Sequence, residues 1–152
     1  MKDLERQRII DLLTTENCSC VIGNGATVRS FYGRGVSDLY RLLTEEPEFL
    51  RGAFVADKVV GRGAAALMIL GGVKGVFARV ISMPALEFFR TYGVDAAFAT
   101  EVPHIINRQG TDWCPLEKRC IHAQTVEECR EIIDRFVREL PRSAVKEKGS
   151  NA

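Results

Sequence analysis

Asp57-Lys58-Val59-Val60-Gly61-Arg62-Gly63 has the residue types needed to hold an anion. Lys58 and Arg62 bring positive charge. Gly61 and Gly63 let a ligand come close to the backbone. An apolar run begins at Ala64, so the segment leads into a helix whose first N–H groups have no intrahelical partner and attract negative charge. A phosphate or a nucleotide would suit such a place. The pattern is neither G-x-x-x-x-G-K-[ST] nor G-x-G-x-x-G, so it names no ligand. The same residues also suit a plain strand–helix turn with a solvated Lys and Arg and an Asp cap. On either reading Arg62 is expected at the surface, where Arg62→Glu would abolish anion binding and leave the fold intact.

A second constellation runs from Asn107 to Glu117 and mixes amide, guanidinium, hydroxyl, carboxylate, indole and thiol groups. Asn107 and Arg108 could close over a ligand held by Asp57, Lys58, Gly61 and Arg62. Cys114 could be a nucleophile if Arg108 or a helix start after Pro115 stabilised its thiolate. Asp57 or Glu117 would then serve as acid or base, with His104 as a further nearby base. A structural lid over the sheet edge is the simpler alternative. Gly33-Arg34-Gly35 could add an arginine to the same edge. Cys114, Cys120, His122 and His104 do not follow a standard zinc spacing. They read as core cysteines and surface imidazoles, so no metal ligand is assigned.

Composition sets the frame. The 152 residues match one ordinary domain, with 46% hydrophobic residues to build a core. Lys plus Arg number 21 and Asp plus Glu 20, a net charge of +1. That balance argues against a general nucleic-acid or membrane-surface binder. No apolar run approaches the roughly 20 residues of a membrane span, and the charged start lacks a signal-peptide core. A cytoplasmic protein with reduced thiols is expected. Its five cysteines are an odd number, without a C-x-x-C pair.

Periodicity supplies the elements that would position these residues. Leu4 to Thr14 reads as a helix and Cys18 to Ile22 as a strand. Asn24-Gly25 is a hairpin signal, with the return strand from Thr27 to Tyr32. Ser37 is expected to cap a helix carrying Leu39, Leu42 and Leu43. Ala53 to Ala56 reads as a buried strand and Ala64 to Leu70 as a buried helix. Gly75 to Ile81 is a strand. Ser82, Pro84 and Gly93 frame the next helix, and Asp95 to Ala99 is another strand. Glu101 to Gln124 shows no clear period. Thr125-Val126-Glu127-Glu128 is a capping box that opens an amphipathic helix ending at Pro141. Residues 1–140 therefore read as one domain and 141–152 as a polar, disordered tail. Alternating strands and helices imply a parallel sheet with right-handed crossovers and the hairpin at one edge. The expected fold is a three-layer α/β/α domain with a mixed sheet of about five strands.

Several ordered motifs look familiar. They are the hairpin, Gly33-Arg34-Gly35-Val36, Val55-Ala56-Asp57-Lys58-Val59-Val60-Gly61, Ala64-Ala65-Ala66-Leu67, Ser82-Met83-Pro84-Ala85-Leu86-Glu87, Val102-Pro103-His104-Ile105-Ile106-Asn107-Arg108, Gly110-Thr111, and Cys114-Pro115-Leu116-Glu117. Over Asp11 to Phe136 the chain resembles the family called domain of unknown function 1893, which implies a cytidine-deaminase-like fold. The helix near Ser37 to Leu43 departs from the usual deaminase plan. Zinc deaminases place a His or Cys and a Glu at one helix start and Pro-Cys-x-x-Cys at the next. Matched at Pro84, the thiolate positions hold Ala85 and Phe88, and no His or Glu stands near Val60 to Gly63.

The sequence thus points to a protein that binds a nucleotide-like or other anionic small molecule in a degenerate deaminase cleft, with no zinc and no nucleic-acid partner. A zinc-free enzyme using Cys114 is the alternative. A module that forms homo-oligomers through its sheet edge is a third reading. Protein purified without chelator should carry well under one zinc per chain. Stoichiometric zinc by elemental analysis would overturn the reading of Ala85 and Phe88.

Overall fold

Ile9 and Leu13 stand four apart on the first helix, α1 (Asp3–Thr15), so they share one face and bury it. They pack with Cys18, Val21, Phe54 and Ala56, with Phe77 beside them. Val21 belongs to β1 (Cys20–Asn24), which turns through Gly25 at φ +61° into β2 (Thr27–Phe31). Then come α2 (Ser37–Glu45), the single turn α3 (Pro47–Leu50), β3 (Phe54–Val60), α4 (Arg62–Leu70), β4 (Gly75–Ser82), α5 (Met83–Tyr92), β5 (Asp95–Val102), α6 (Pro115–Cys120) and α7 (Val126–Glu139). The computed structural model describes residues 3–34 and 36–140. The expected tail at 141–152 lies outside them, as does Gly35.

The strands form one mixed sheet in the order β2-β1-β3-β4-β5. β1 runs antiparallel to β2 and β3, while β3, β4 and β5 are parallel. The hairpin at one edge and the parallel run beyond it are as expected. A second, larger core joins Val55, Val76 and Ala78 of the sheet to residues of α2, α4, α5, α6 and α7. α4 is its centre. Gly63 to Met68 are all buried, and the helix packs against α2, α5, α6 and α7. An apolar helix with no polar face is stable only when enclosed in this way. Among the described residues no helix is long and apolar enough to cross a membrane.

Three local expectations are corrected. β3 does not end at Ala56: Asp57, Val59 and Val60 continue it, paired with Ala78, Val80 and Ile81 of β4. Ser37 is the first residue of α2 rather than its cap. Its hydroxyl donates to the Arg34 carbonyl, while Asp38 turns back to accept the Gly33 N–H at 2.9 Å. The stretch without a period holds the end of β5, a bridge between Ile106 and Trp113, and α6. A six-residue helix is too short to show a 3.6-residue repeat. The caps of α5 and α7 form as expected. Ser82 accepts the Ala85 N–H, Gly93 closes α5 at φ +73°, and Thr125 accepts the Glu128 N–H.

Candidate functional site

Gly61-Arg62-Gly63 opens α4, but it does not open toward solvent. A Cβ on Gly61 would stand 3.2 Å from both Glu117 Oε1 and Ile105 Cγ1. One on Gly63 would stand 3.0 Å from Leu116 Cδ2. The absent side chains therefore make room for α6 and the loop before it, not for a ligand. Glu117 is buried, and its carboxylate takes the place an external anion would have taken. Oε1 accepts the Arg62 N–H at 2.8 Å and Oε2 accepts the Ile105 N–H at 2.9 Å. Neither Asp57 nor any other side chain at the helix start caps α4, whose N-cap is Gly61.

Arg62 is not at the surface. Its side chain is 5% exposed. Nε donates to the Ala123 carbonyl at 3.1 Å, Nη2 donates to the same oxygen, and Nη1 donates to the Pro84 carbonyl at 2.6 Å. The guanidinium lies over the Phe88 ring, 3.6 Å from its centroid. Among the described residues one carboxylate approaches it, Glu87 at 3.5 Å, from a side chain 72% exposed. The expectation of a dispensable surface arginine fails because four residues, three on α5 and one just beyond α6, converge on its head group.

The remaining candidates are spread out. Asp57 is 8% exposed and faces Cys20 across the β1–β3 ladder. Burial pushes its carboxyl up to about 7, against the pull of the Val59 and Lys58 backbone N–H groups; the nearby Asp38 charge adds to the rise. Lys58 donates to Asn17 Oδ1 at 3.0 Å. Asn107 closes a turn with Thr111 and Asp112, through Gly110 at φ +74°. Arg108 is exposed. Among the described residues neither Asn107 nor Arg108 bonds Asp57, Lys58 or Arg62. Cys114 is half-buried, and its backbone N–H donates to Ile105 at 2.8 Å. No hydrogen bond joins its thiol to His104 or Glu117 in that set. His104 stacks on Trp113 with centroids 3.9 Å apart. Cys120 is buried, and its thiol is pushed up by a hydrogen bond with Cys129 and by burial. Among the described residues no three His, Cys, Asp or Glu side chains gather to hold a metal.

A groove of about 460 Å³ lies at the C-terminal ends of β4 and β5, where parallel sheets commonly bind ligands. Arg62 forms part of its wall, with Glu87 and Arg90 from α5 and Glu101 from β5. Met83, Leu86 and Ile121 add apolar surface. Of the residues singled out from sequence, the groove holds Arg62. Glu87, Arg90 and Glu101 were missed. The readable signal was two charges three residues apart on the helix after β4, together with an acid ending the adjacent strand.

A family model, TM1506, described as domain of unknown function (DUF1893), matches residues 8–137. No curated protein matches the chain. Among solved structures it is similar to a DUF1893 family protein (TM1506) from Thermotoga maritima, at 23% identity and a TM-score of 0.83. The match covers 90% of this chain and 92% of that one. At this identity the likeness carries the fold.

Two consequences can be measured. Arg62→Glu should cost about 3–5 kcal/mol of stability, because it strands the Pro84 and Ala123 carbonyls and buries a like charge beside Glu87. A loss under about 1 kcal/mol in urea unfolding would contradict this. Asp57 binds its proton more tightly in the fold than in the unfolded chain, whose carboxyl titrates near 3.8. Its contribution is therefore complete below about pH 4 and lost as pH rises through 7, by up to about 4 kcal/mol. Asp57→Asn should flatten that slope and raise stability at pH 8. An unchanged pH profile would show that Asp57 is not the group responsible.

Proposed function

The chain belongs to the DUF1893 family, and from that premise we propose that it binds an anionic small molecule on a deaminase-like fold without using zinc. The deaminase-like assignment is supported by the order of elements, with α4 and α5 starting at the C-terminal ends of the parallel strands β3 and β4. Those two helix starts are where deaminases place their metal motifs. Here Ala85 and Phe88 are buried in the apolar core at the second start, and Glu117 fills the first. A nucleotide, phosphate or carboxylate ligand would therefore be recognised beside these helix starts, in the groove at α5.

One observation carries the reading: the buried Arg62 guanidinium. Its close partners are two neutral carbonyls and an aromatic ring. Glu87, its carboxylate neighbour, is exposed and at the limit of an ion pair. Burying a cation without a firm counter-charge is costly. An anion entering the groove supplies that charge. Of the residues first singled out, Arg62 is the centre of recognition. Lys58, Asn107 and Arg108 stand apart from it.

Inorganic phosphate, small carboxylates and nucleoside monophosphates at millimolar concentration should include an anion that raises Tm. A ligand at 100 times its Kd stabilises by about 2.7 kcal/mol. Glu87→Gln removes the internal competitor and should tighten that anion by up to about fivefold, the free energy of an exposed ion pair. If no anion shifts Tm in either protein, the reading is wrong.

A further inference from the structure

The groove carries charges of both signs, and that restricts what can sit there. Arg62 keeps unused donor capacity. A guanidinium has five N–H groups, and its firm bonds in the fold go to the Ala123 and Pro84 carbonyls. Glu101 is exposed and, among the described residues, its carboxylate makes no hydrogen bond or ion pair. The two groups stand on neighbouring walls. Glu101 pairs with Ile81 at the end of β4, and the chain then passes through Ser82 and Met83 to Pro84, whose carbonyl holds Arg62.

A simple anion drawn to Arg62 would meet the carboxylates of Glu101 and Glu87. A simple cation drawn to Glu101 would meet Arg62 and Arg90. Like charges across a site repel and weaken the binding of such ligands without abolishing it. A molecule bearing both signs satisfies both walls, and Met83, Leu86 and Ile121 offer its body an apolar surface. The volume of about 460 Å³ lies within the range of small-molecule sites.

We infer that the ligand is a small zwitterion, an amino carboxylate with an apolar side chain, whose carboxylate meets Arg62 and whose ammonium meets Glu101. This rests on the anion-binding reading and adds a second, cationic half to it.

Matched compounds separate the two ideas. L-leucine, L-methionine and L-phenylalanine are titrated calorimetrically into the wild-type protein, each beside its des-amino acid and its decarboxylated amine. At least one amino acid should bind about tenfold or more tighter than both single-charge analogues. Glu101→Gln, an exposed change whose unliganded Tm should match wild type, should bring that amino acid down to the level of its des-amino acid. If the des-amino acids bind wild type as tightly as the amino acids, or Glu101→Gln keeps the preference, the zwitterion is wrong and anion binding stands. If no amino acid binds while phosphate or a nucleotide does, the zwitterion is again wrong. If no anion of any kind binds, both readings fall.

Discussion

Two oppositely charged side chains, crossing between α4 and α6, hold the last third of the chain on the sheet. Glu117 reaches from α6 to the start of α4 and bonds the Arg62 N–H. Arg62 reaches back from α4 to the Ala123 carbonyl just beyond α6. Each side chain satisfies backbone groups of the other segment, so the attachment is two-way. Buried N–H and C=O groups left unpaired would cost about 1–3 kcal/mol each. Gly61 and Gly63 make the attachment sterically possible, and Leu116 fills the gap that Gly63 leaves. The Ile105 N–H is drawn into the same carboxylate, which fixes the loop after β5 as well.

This attachment also decides where a ligand can go. The start of α4 is neutralised from within the chain and closed by α6. The space left at the strand ends lies one element further along, between α5 and the end of β5. Arg62 contributes to both places. Its backbone N–H serves the internal carboxylate, and its head group forms part of the groove wall.

The sheet and most helices were legible in the sequence because they rest on local signals. Asn24-Gly25, Ser82 with Pro84, Gly93 and Thr125 with Glu128 each satisfy nearby backbone groups. α4 was legible because its residues are apolar on every side. The site was much less legible. Gly61-Arg62-Gly63 has the composition of a phosphate loop, and no local feature shows that its partner is a glutamate 55 positions later. A surface position is the expectation for Arg62 because charged side chains are mostly exposed. Its burial depends on Phe88, Pro84 and Ala123, none of them near it in sequence. The expected strand stops before Asp57 because polar residues ordinarily end a buried strand. Asp57 stays inside one because the Val59 and Lys58 backbone N–H groups bond its carboxyl, and burial raises the pKa of that carboxyl. α6 leaves no periodic trace because it is less than two turns long.

The long reach of Glu117 bears on synthesis of the chain. α4 emerges from the ribosome with Ala64, Leu67 and Met68 destined for the core, yet α6 and α7 have still to be made. Until residues near 117 to 133 appear, α4 lacks its cap and part of its cover. Unsatisfied helix ends and exposed apolar surface make partly built chains prone to association. A nascent chain halted between α5 and α6 would therefore hold a nearly finished sheet with its central helix open on one side. The vulnerable interval in the life of this protein is the time taken to add the thirty or so residues between the end of β5 and Ile133, a few seconds at about 5–20 residues per second.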